Sequence, residues 1–192
     1  MSSEELLSSS FWTTKMKTYF KVMDVDQNGF LSLSEFEETA ERLVQLQDNP
    51  SKAEDIREVF RSLFQYFVAG GEPVDGETQI AEEEFLAKAA KTISLSPPPA
   101  VEVGKRKNVV FFDAIDTDGS GEISPEEYRK YLAIYSGGDD AERAKQAFDS
   151  IDIDGNGLIN RSEFVQAHVH YWFEGVKDPN YSPLPYGPLV DS

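Results

Sequence analysis

The sequence predicts an all-α protein in which four helix–loop–helix units form two pairs, packed into one compact body. Two observations support this prediction. A twelve-residue frame of acidic, amide and hydroxyl residues with a central glycine recurs three times, and the segments around it carry apolar residues at helical spacing. A fourth copy of the frame, which has lost part of its polar pattern, lies between the first and second intact copies.

The three intact loops span residues 24–35, 116–127 and 152–163. Each has oxygen donors at positions 1, 3, 5, 7, 9 and 12 and a glycine at position 6, which is the pattern of an EF-hand loop that wraps Ca²⁺. Position 7 offers its backbone carbonyl, and the glutamate at position 12 can offer both carboxylate oxygens. The predicted ligands are Asp24, Asp26, Asn28, Phe30, Ser32 and Glu35; Asp116, Asp118, Ser120, Glu122, Ser124 and Glu127; and Asp152, Asp154, Asn156, Leu158, Asn160 and Glu163.

The degraded loop covers residues 73–84, with Pro73 at position 1 and Glu84 at position 12. Proline has no side-chain oxygen, and Thr78 replaces the glycine at a position where we expect a residue with a Cβ atom to be strained. We therefore predict a metal-free second EF-hand with a structural role. Paired loops form a short two-stranded contact at their eighth residues, so the expected pairs are Leu31 with Ile80 and Ile123 with Ile159.

Periodicity and capping signals predict the helices. Trp12, Met16 and Met23 recur at helical spacing before the first loop, and Ser32 stands three residues before Glu35, as in a capping box. Pro125 occupies a favourable first helical position after the third loop. The expected helices cover about 11–23, 32–47, 52–69, 105–115, 125–136, 140–151 and 161–174.

The chain divides into four parts. Residues 1–96 are predicted to hold the first EF-hand pair, active and then degenerate, and residues 105–174 the second pair, both active. Residues 97–104 read as a proline-rich joint, because three consecutive prolines do not continue a helix. Residues 175–192 are not helical, and their Tyr and Leu content predicts that this segment docks on the body.

Composition excludes several classes of function. A net charge of −17 disfavours nucleic acid and anionic membranes as partners, and no apolar run reaches the length of a membrane span. The chain has no cysteine, no signal peptide and no glycine at position 2 for myristoylation, which favours a cytoplasmic protein. Both histidines fall on one predicted helix, and no nucleotide-binding loop is present, so we predict no enzymatic activity.

Two motifs outside the loops narrow the family. Trp12-x-x-Lys15-Met16-Lys17-Thr18-Tyr19-Phe20 precedes the first loop, and Tyr186-Gly187-Pro188-Leu189-Val190 stands near the end. With active first, third and fourth loops, the chain resembles the invertebrate sarcoplasmic calcium-binding proteins. The resemblance implies a soluble buffer in the sarcoplasm of muscle that binds Ca²⁺ at three sites, with Mg²⁺ competing in some of them and no obligate protein partner.

Two alternatives stay open. Coelenterazine-binding proteins and Ca²⁺-triggered photoproteins share this pattern, and His168, Trp172 and Tyr186 resemble their luciferin-binding residues, so a small apolar ligand is one alternative. The other interpretation of these residues is a packed core. A Ca²⁺ sensor that recruits a protein is the third class, but sensors expose methionine-rich grooves, and this chain has three methionines and 23 aromatic residues.

Overall fold

Helices dominate the computed structural model, which describes residues 1–47, 49–136, 138–175, 178 and 181–190. These residues contain nine α-helices and two short antiparallel sheets. The helices are α1 (Ser3–Ser8), α2 (Ser10–Met23), α3 (Leu33–Gln47), α4 (Ala53–Leu63), α5 (Glu82–Leu95), α6 (Pro98–Ile115), α7 (Pro125–Ser136), α8 (Ala141–Ile151) and α9 (Arg161–Phe173). The strands are β1 (Phe30–Ser32), β2 (Gln79–Ala81), β3 (Glu122–Ile123) and β4 (Ile159–Asn160).

The pairing of the loops is as predicted. In the sheet of β1 and β2, Leu31 lies opposite Ile80, and in the sheet of β3 and β4, Ile123 lies opposite Ile159. All four side chains are buried in the core. Each sheet therefore joins the middle of one loop to the middle of its partner, and the second loop keeps this role without the ligand pattern of the others.

The predicted joint over residues 97–104 is wrong in its extent, because α6 begins at Pro98. Pro98 and Pro99 lie in the first helical turn, where backbone N–H groups have no helical partner and proline is tolerated. The break is confined to Ser96, which ends α5 in a left-handed conformation with φ of 44°, and to Pro97. Three prolines therefore start a helix seven residues earlier than expected.

Two further elements differ from the expectation. Helix α1 was not predicted; Ser2 and Glu5 form a reciprocal capping box at its start, with the Ser2 N–H donating to Glu5 Oε2 at 2.7 Å. The helix expected over 52–69 ends in a π turn, Phe64–Val68, where the Ala69 N–H donates to the Phe64 carbonyl. The turn leads into Gly70, whose φ of 69° ends the helix.

Buried polar contacts tie the first half of the chain to the second. The Trp12 indole N–H donates to the Trp172 carbonyl at 2.9 Å, and the Lys15 ammonium donates to the Glu174 carbonyl at 2.7 Å beyond the end of α9. A cation favours this position because the last carbonyls of a helix carry partial negative charge. The aromatic core is continuous across the halves, for example through Phe60 of α4 and Phe111 of α6, whose ring centroids lie 5.1 Å apart.

The described part of the C-terminal segment contacts the body at several points. Tyr186 is buried, and its ring lies 5.1 Å from that of Tyr171 and 5.2 Å from that of Tyr19. The Arg143 guanidinium donates to the Tyr186 carbonyl at 2.7 Å, and the Val190 N–H donates to Thr18 Oγ1 at 3.0 Å. The remainder of the segment predicted to dock, residues 176, 177, 179, 180, 191 and 192, lies outside the described residues.

Replacing Tyr186 with alanine should lower the free energy of unfolding by about 3–5 kcal/mol, because it removes a buried aromatic ring and leaves a cavity. Leu95→Ala is the matched control: Leu95 is 67% exposed, so its truncation should change stability by about 0.5 kcal/mol or less. Urea unfolding of both variants in saturating Ca²⁺ measures the difference. A loss below about 1 kcal/mol for Tyr186→Ala would show that the segment is not part of the core.

Candidate metal centres

Three groups of carboxylates lie at the predicted loops. Within the described residues, Asp24, Asp26 and Glu35 form one group; Asp116, Asp118 and Glu127 the second; and Asp152, Asp154 and Glu163 the third. In each group the ligand oxygens lie within 4.8 Å of one another. Like charges at such distances repel, so this arrangement favours a divalent cation between them.

The glutamate at position 12 closes each of these loops. One oxygen of Glu163 accepts the Ile153 N–H at 3.0 Å, and the other accepts the Asn160 N–H at 3.0 Å. Glu35 and Glu127 make the corresponding contacts at 2.8–2.9 Å with the residues at positions 2 and 9 of their own loops. The side chains are only 6–7% exposed. One carboxylate therefore holds the start and the end of the loop together.

Burial and hydrogen bonding act in opposite directions on these glutamates. Burial raises the pKa of Glu35, and hydrogen bonds from Ser32 and Val25 offset only part of this effect. Burial also acts to raise the pKa of Glu127, but hydrogen bonds from Ser124 and Thr117 outweigh it, so that pKa lies below its ordinary value. The additional contact is the Thr117 hydroxyl, which donates to Glu127 Oε1 at 2.9 Å.

The aspartate at position 1 of each intact loop accepts hydrogen bonds from backbone N–H groups of the turn. Gly29, Gly121 and Gly157, each at position 6 with φ of 85°, donate their N–H groups to Asp24, Asp116 and Asp152 at 2.9–3.0 Å. Only a residue without Cβ adopts this conformation readily, which explains the glycine in the motif. Asp152 Oδ1 is buried and has no hydrogen-bond partner, so the residues of this loop fit a cation that would take that lone pair.

The remaining predicted ligands lie in the same loops. The side-chain Oδ1 of Asn28 accepts the Phe30 N–H at 2.8 Å, and Oδ1 of Asn156 accepts the Leu158 N–H in the same way. Ser120 Oγ donates to the Glu122 carbonyl at 2.9 Å. Asn160 caps α9 through its side chain. Their coordination of a metal stays a prediction, as does that of the carbonyls at position 7.

The second loop has a different geometry. The Asp75 carboxylate accepts the Thr78 hydroxyl at 2.8 Å and the Glu77 N–H at 3.1 Å, so nearby groups of its own loop satisfy it. Glu84 is half exposed and lies 3.4 Å from the Lys88 ammonium, whereas its counterparts are buried in their loops. The expected strain at Thr78 is absent, because Thr78 does not have a positive φ. The backbone of the second loop therefore follows a different path from that of the intact loops at position 6, and Thr78 is not strained.

The residue at position 4 of each intact loop is under a backbone constraint that the pattern of ligand residues does not predict. The backbone there is left-handed in all three intact loops, with φ of 70° at Gly119 and 69° at Gly155. In the first loop the residue is Gln27, with φ of 59°. A residue with a Cβ atom costs about 1–2 kcal/mol in this conformation. The first loop is therefore built with strain that the third and fourth loops avoid.

Only two of the three residues of the luciferin-type alternative line the same cavity. His168 and Trp172 line a cavity beside α9, whereas Tyr186 does not line it. The Tyr186 ring packs instead against Tyr19, Tyr171 and the edge of His168, whose centroid is 6.1 Å away. His168 is buried with Nδ1 2.8 Å from the Phe164 carbonyl, and its Nε2 has no partner.

The family model that describes an EF-hand domain pair matches residues 13–90 and 107–169, which is more than half of the chain. These residues contain all four loops. The fold, the loop geometry and this match together define an EF-hand protein.

Comparison with known proteins shows which family of EF-hand proteins the chain belongs to. The sarcoplasmic calcium-binding protein of Perinereis vancaurica tetradentata is 32% identical over 188 residues, covering 95% of this chain and 100% of that protein. The luciferin-binding protein of Renilla reniformis is 28% identical over 178 residues, covering 92% and 93%. The structure of the photoprotein clytin has the same fold, with a TM-score of 0.74, 22% identity and 96% of each chain covered. The chain belongs to the sarcoplasmic calcium-binding protein family.

Exchanging residues at position 4 tests the strain in the first loop. Gln27→Gly should raise the free energy of unfolding by about 0.5–1 kcal/mol, because the relief of the left-handed conformation exceeds the extra backbone entropy of glycine. Gly155→Gln should lower it by a similar amount, since a Cβ atom there meets nothing within 4 Å and only the backbone conformation is penalised. Guanidinium unfolding in saturating Ca²⁺ measures both; equal stabilities would contradict the assignment.

Replacing Glu163 with glutamine should weaken the fourth site alone, by at least about 10–100-fold, the loss already seen for groups one step removed from a metal. Glutamine has one acceptor oxygen where Glu163 uses two. Glu84→Gln at the same position of the second loop is the matched control and should leave Ca²⁺ binding unchanged. Calorimetric titration distinguishes them, and equal effects of the two substitutions would be incompatible with this site assignment.

Proposed function

We propose that the protein is a cytoplasmic Ca²⁺ buffer that binds three Ca²⁺ through loops 24–35, 116–127 and 152–163, with Mg²⁺ competing in some of these loops at rest. The observation that carries this proposal is the set of three carboxylate groups whose oxygens lie within 4.8 Å of one another. The sequence relatives support it, since they include sarcoplasmic calcium-binding proteins along nearly the full chain. No catalysis and no obligate protein partner belong to this function.

The loops suit a buffer because binding removes a repulsion that the fold imposes. Three carboxylates face one another in each loop, and two charges about 5 Å apart repel by about 3 kcal/mol at an effective dielectric of 20. A divalent cation turns this repulsion into attraction. The second loop lacks such a group among the described residues and serves its partner through the β1–β2 pairing.

The interior favours a buffer over a sensor. Sensors open a helix pair to expose a flexible, methionine-rich groove. Here Met16 and Met23 are buried in α2, and no methionine lies in an exit helix. Tyr186 and the segment around it occupy the space between α2, α7 and α9 through ring contacts with Tyr19, Tyr135 and Tyr171. Opening the core would expose these large aromatic rings.

The luciferin-type alternative has weaker support. It requires His168, Trp172 and Tyr186 to face one ligand, and Tyr186 does not line the cavity that the other two line. The alternative stays a prediction.

Among the described residues, no helix combines the length and apolar character that a membrane crossing requires.

Dye binding tests the buffer function. We expect an environment-sensitive apolar dye to give nearly the same fluorescence with the Mg²⁺-loaded and the Ca²⁺-loaded protein, because buffer EF-hands barely open when they bind Ca²⁺. The Mg²⁺-loaded form is the reference, since the metal-free chain holds unbalanced carboxylates. A Tyr186→Ala variant is the positive control for exposure of the core. A large rise specific to Ca²⁺ in the unmodified protein would indicate a sensor.

A further inference from the structure

A cavity of about 440 Å³ lies between α5, α6, α9 and the turn after α4. This volume is within the range of small-molecule sites in proteins, which is about 300–1,000 Å³. Its wall is largely apolar and includes Phe67, Ile93, Ala100, Val165 and Trp172. The cavity is separate from the three candidate metal loops, and none of the predicted metal ligands lines it.

Two polar atoms of the cavity wall lack hydrogen-bond partners, and a lysine of the wall lacks an ion pair. Lys107 is 5% exposed; its ammonium lies 5.9 Å from the centroid of the Phe111 ring, and no ion pair is found for it among the described residues. His168 is 1% exposed with Nε2 unpartnered, and Asn108 Oδ1 is buried without a partner. Buried polar groups are nearly always hydrogen-bonded, and a buried cation is nearly always paired. Two unpartnered acceptors and a buried cation without a counter-charge on one wall indicate a bound polar group.

The charged residues of the cavity wall indicate which polar group of a ligand would bind there. The residues that line the cavity include Lys105, Lys107 and His168 but no Asp or Glu. The ammonium of Lys107 is a donor only, so its partner must be an acceptor. The neutral His168 ring donates its Nδ1–H to the Phe164 carbonyl at 2.8 Å, so Nε2 is an acceptor. An anionic acceptor would satisfy the Lys107 ammonium, whereas a cationic or purely apolar ligand would not.

The exposed apolar residues of the cavity indicate the character of the rest of the ligand. Four residues line the cavity and are 38–51% exposed, which is unusual for large apolar side chains so close together: Val101, Val109, Val169 and Phe173. An apolar chain that lies along this wall would cover them. The combination of one buried ammonium and a continuous apolar wall matches a molecule with one anionic end and a hydrocarbon body.

We propose that this cavity binds a monocarboxylic amphiphile, a medium-chain fatty acid or a molecule of that type, with the carboxylate on the Lys107 ammonium and the hydrocarbon chain along α5, α6 and α9. Charge-assisted hydrogen bonds of this kind are among the strongest in proteins. The inference goes beyond Ca²⁺ buffering and does not depend on it, because the cavity shares no residue with the loops.

The electrostatics of Lys107 agree with this geometry. Burial lowers its pKa to about 7, and no acidic neighbour acts against that effect. Burial also lowers the pKa of His168 well below its ordinary value, and the charge of Lys107 lowers it further. A carboxylate beside Lys107 would raise the pKa of the ammonium. Binding above pH 7 should therefore be accompanied by proton uptake, because the free amine is then largely neutral.

The test uses the full chain in saturating Ca²⁺ at pH 8, titrated with decanoate or with 1-decanol in two buffers of different ionisation enthalpy. We expect one decanoate per chain, with proton uptake. Lys107→Met should weaken decanoate binding by about tenfold or more, the effect of losing a hydrogen bond to a charged group, and abolish the proton uptake. Lys91→Met is the matched control, because Lys91 is exposed on α5 and does not line the cavity; this variant should bind decanoate as the unmodified chain does.

Three binding results would each overturn the proposal: no binding of decanoate, decanol binding as tightly as decanoate, or Lys107→Met binding decanoate like the unmodified chain. Lys107→Met should fold at least as stably as the unmodified chain, since it replaces a buried unpaired amine with an apolar side chain of similar shape. Its Ca²⁺ stoichiometry should be unchanged, which separates this test from that of the buffer function. A dimer that dissociates on Val169→Glu would make the face a subunit contact and also overturn the proposal.

Discussion

The structure depends on the carboxylate at position 12 of each intact loop. Glu35, Glu127 and Glu163 are nearly buried, and each accepts backbone N–H groups from both ends of its own loop. The residue that is predicted to give both oxygens to the metal thus also fixes the loop and starts the exit helix. A cation held between it and the aspartates at positions 1 and 3 would stabilise the loop and the helix together.

The same constraint explains why a chain keeps a loop without metal ligands. An EF-hand loop exposes the edge of its short strand, and pairing with a second loop satisfies that edge. Ile80 lies opposite Leu31 in this pairing. The pairing is kept although Glu84 forms an ion pair with Lys88 and the Asp75 carboxylate accepts a hydrogen bond from the hydroxyl of Thr78 in its own loop. The second loop supports the first through backbone pairing and a buried isoleucine, neither of which requires a metal.

Features encoded by local, repeated patterns could be predicted from the sequence. The register of Leu31 with Ile80 and of Ile123 with Ile159 followed from the position of the eighth residue, and the carboxylate groups followed from the twelve-residue spacing. The joint was misjudged because proline is compatible with the first turn of a helix, so Pro98 can start α6 as well as break a chain. Helix α1 has a capping box of Ser2 and Glu5, but its six residues are too few to show helical periodicity.

Other features depend on contacts between distant segments, which no local pattern reports. Thr78 lies in an unstrained loop because the backbone there left the EF-hand path, and Gln27 is strained because the first loop kept it. His168 and Lys107 are 61 residues apart in the chain and line one cavity only because α6 and α9 pack side by side. The Tyr and Leu content of the C-terminal segment predicts that it docks on the body, but not which rings Tyr186 contacts.

The central claim is that the intact loops, and not the second loop, each hold one Ca²⁺. Native mass spectrometry of the chain over a range of free Ca²⁺ concentrations tests it most directly, because it counts ions on each molecule. We expect a saturated species with three Ca²⁺. Saturation at two ions would show that one of the three carboxylate groups is not a site, and saturation at four would show that the second loop binds metal; either result would contradict the account.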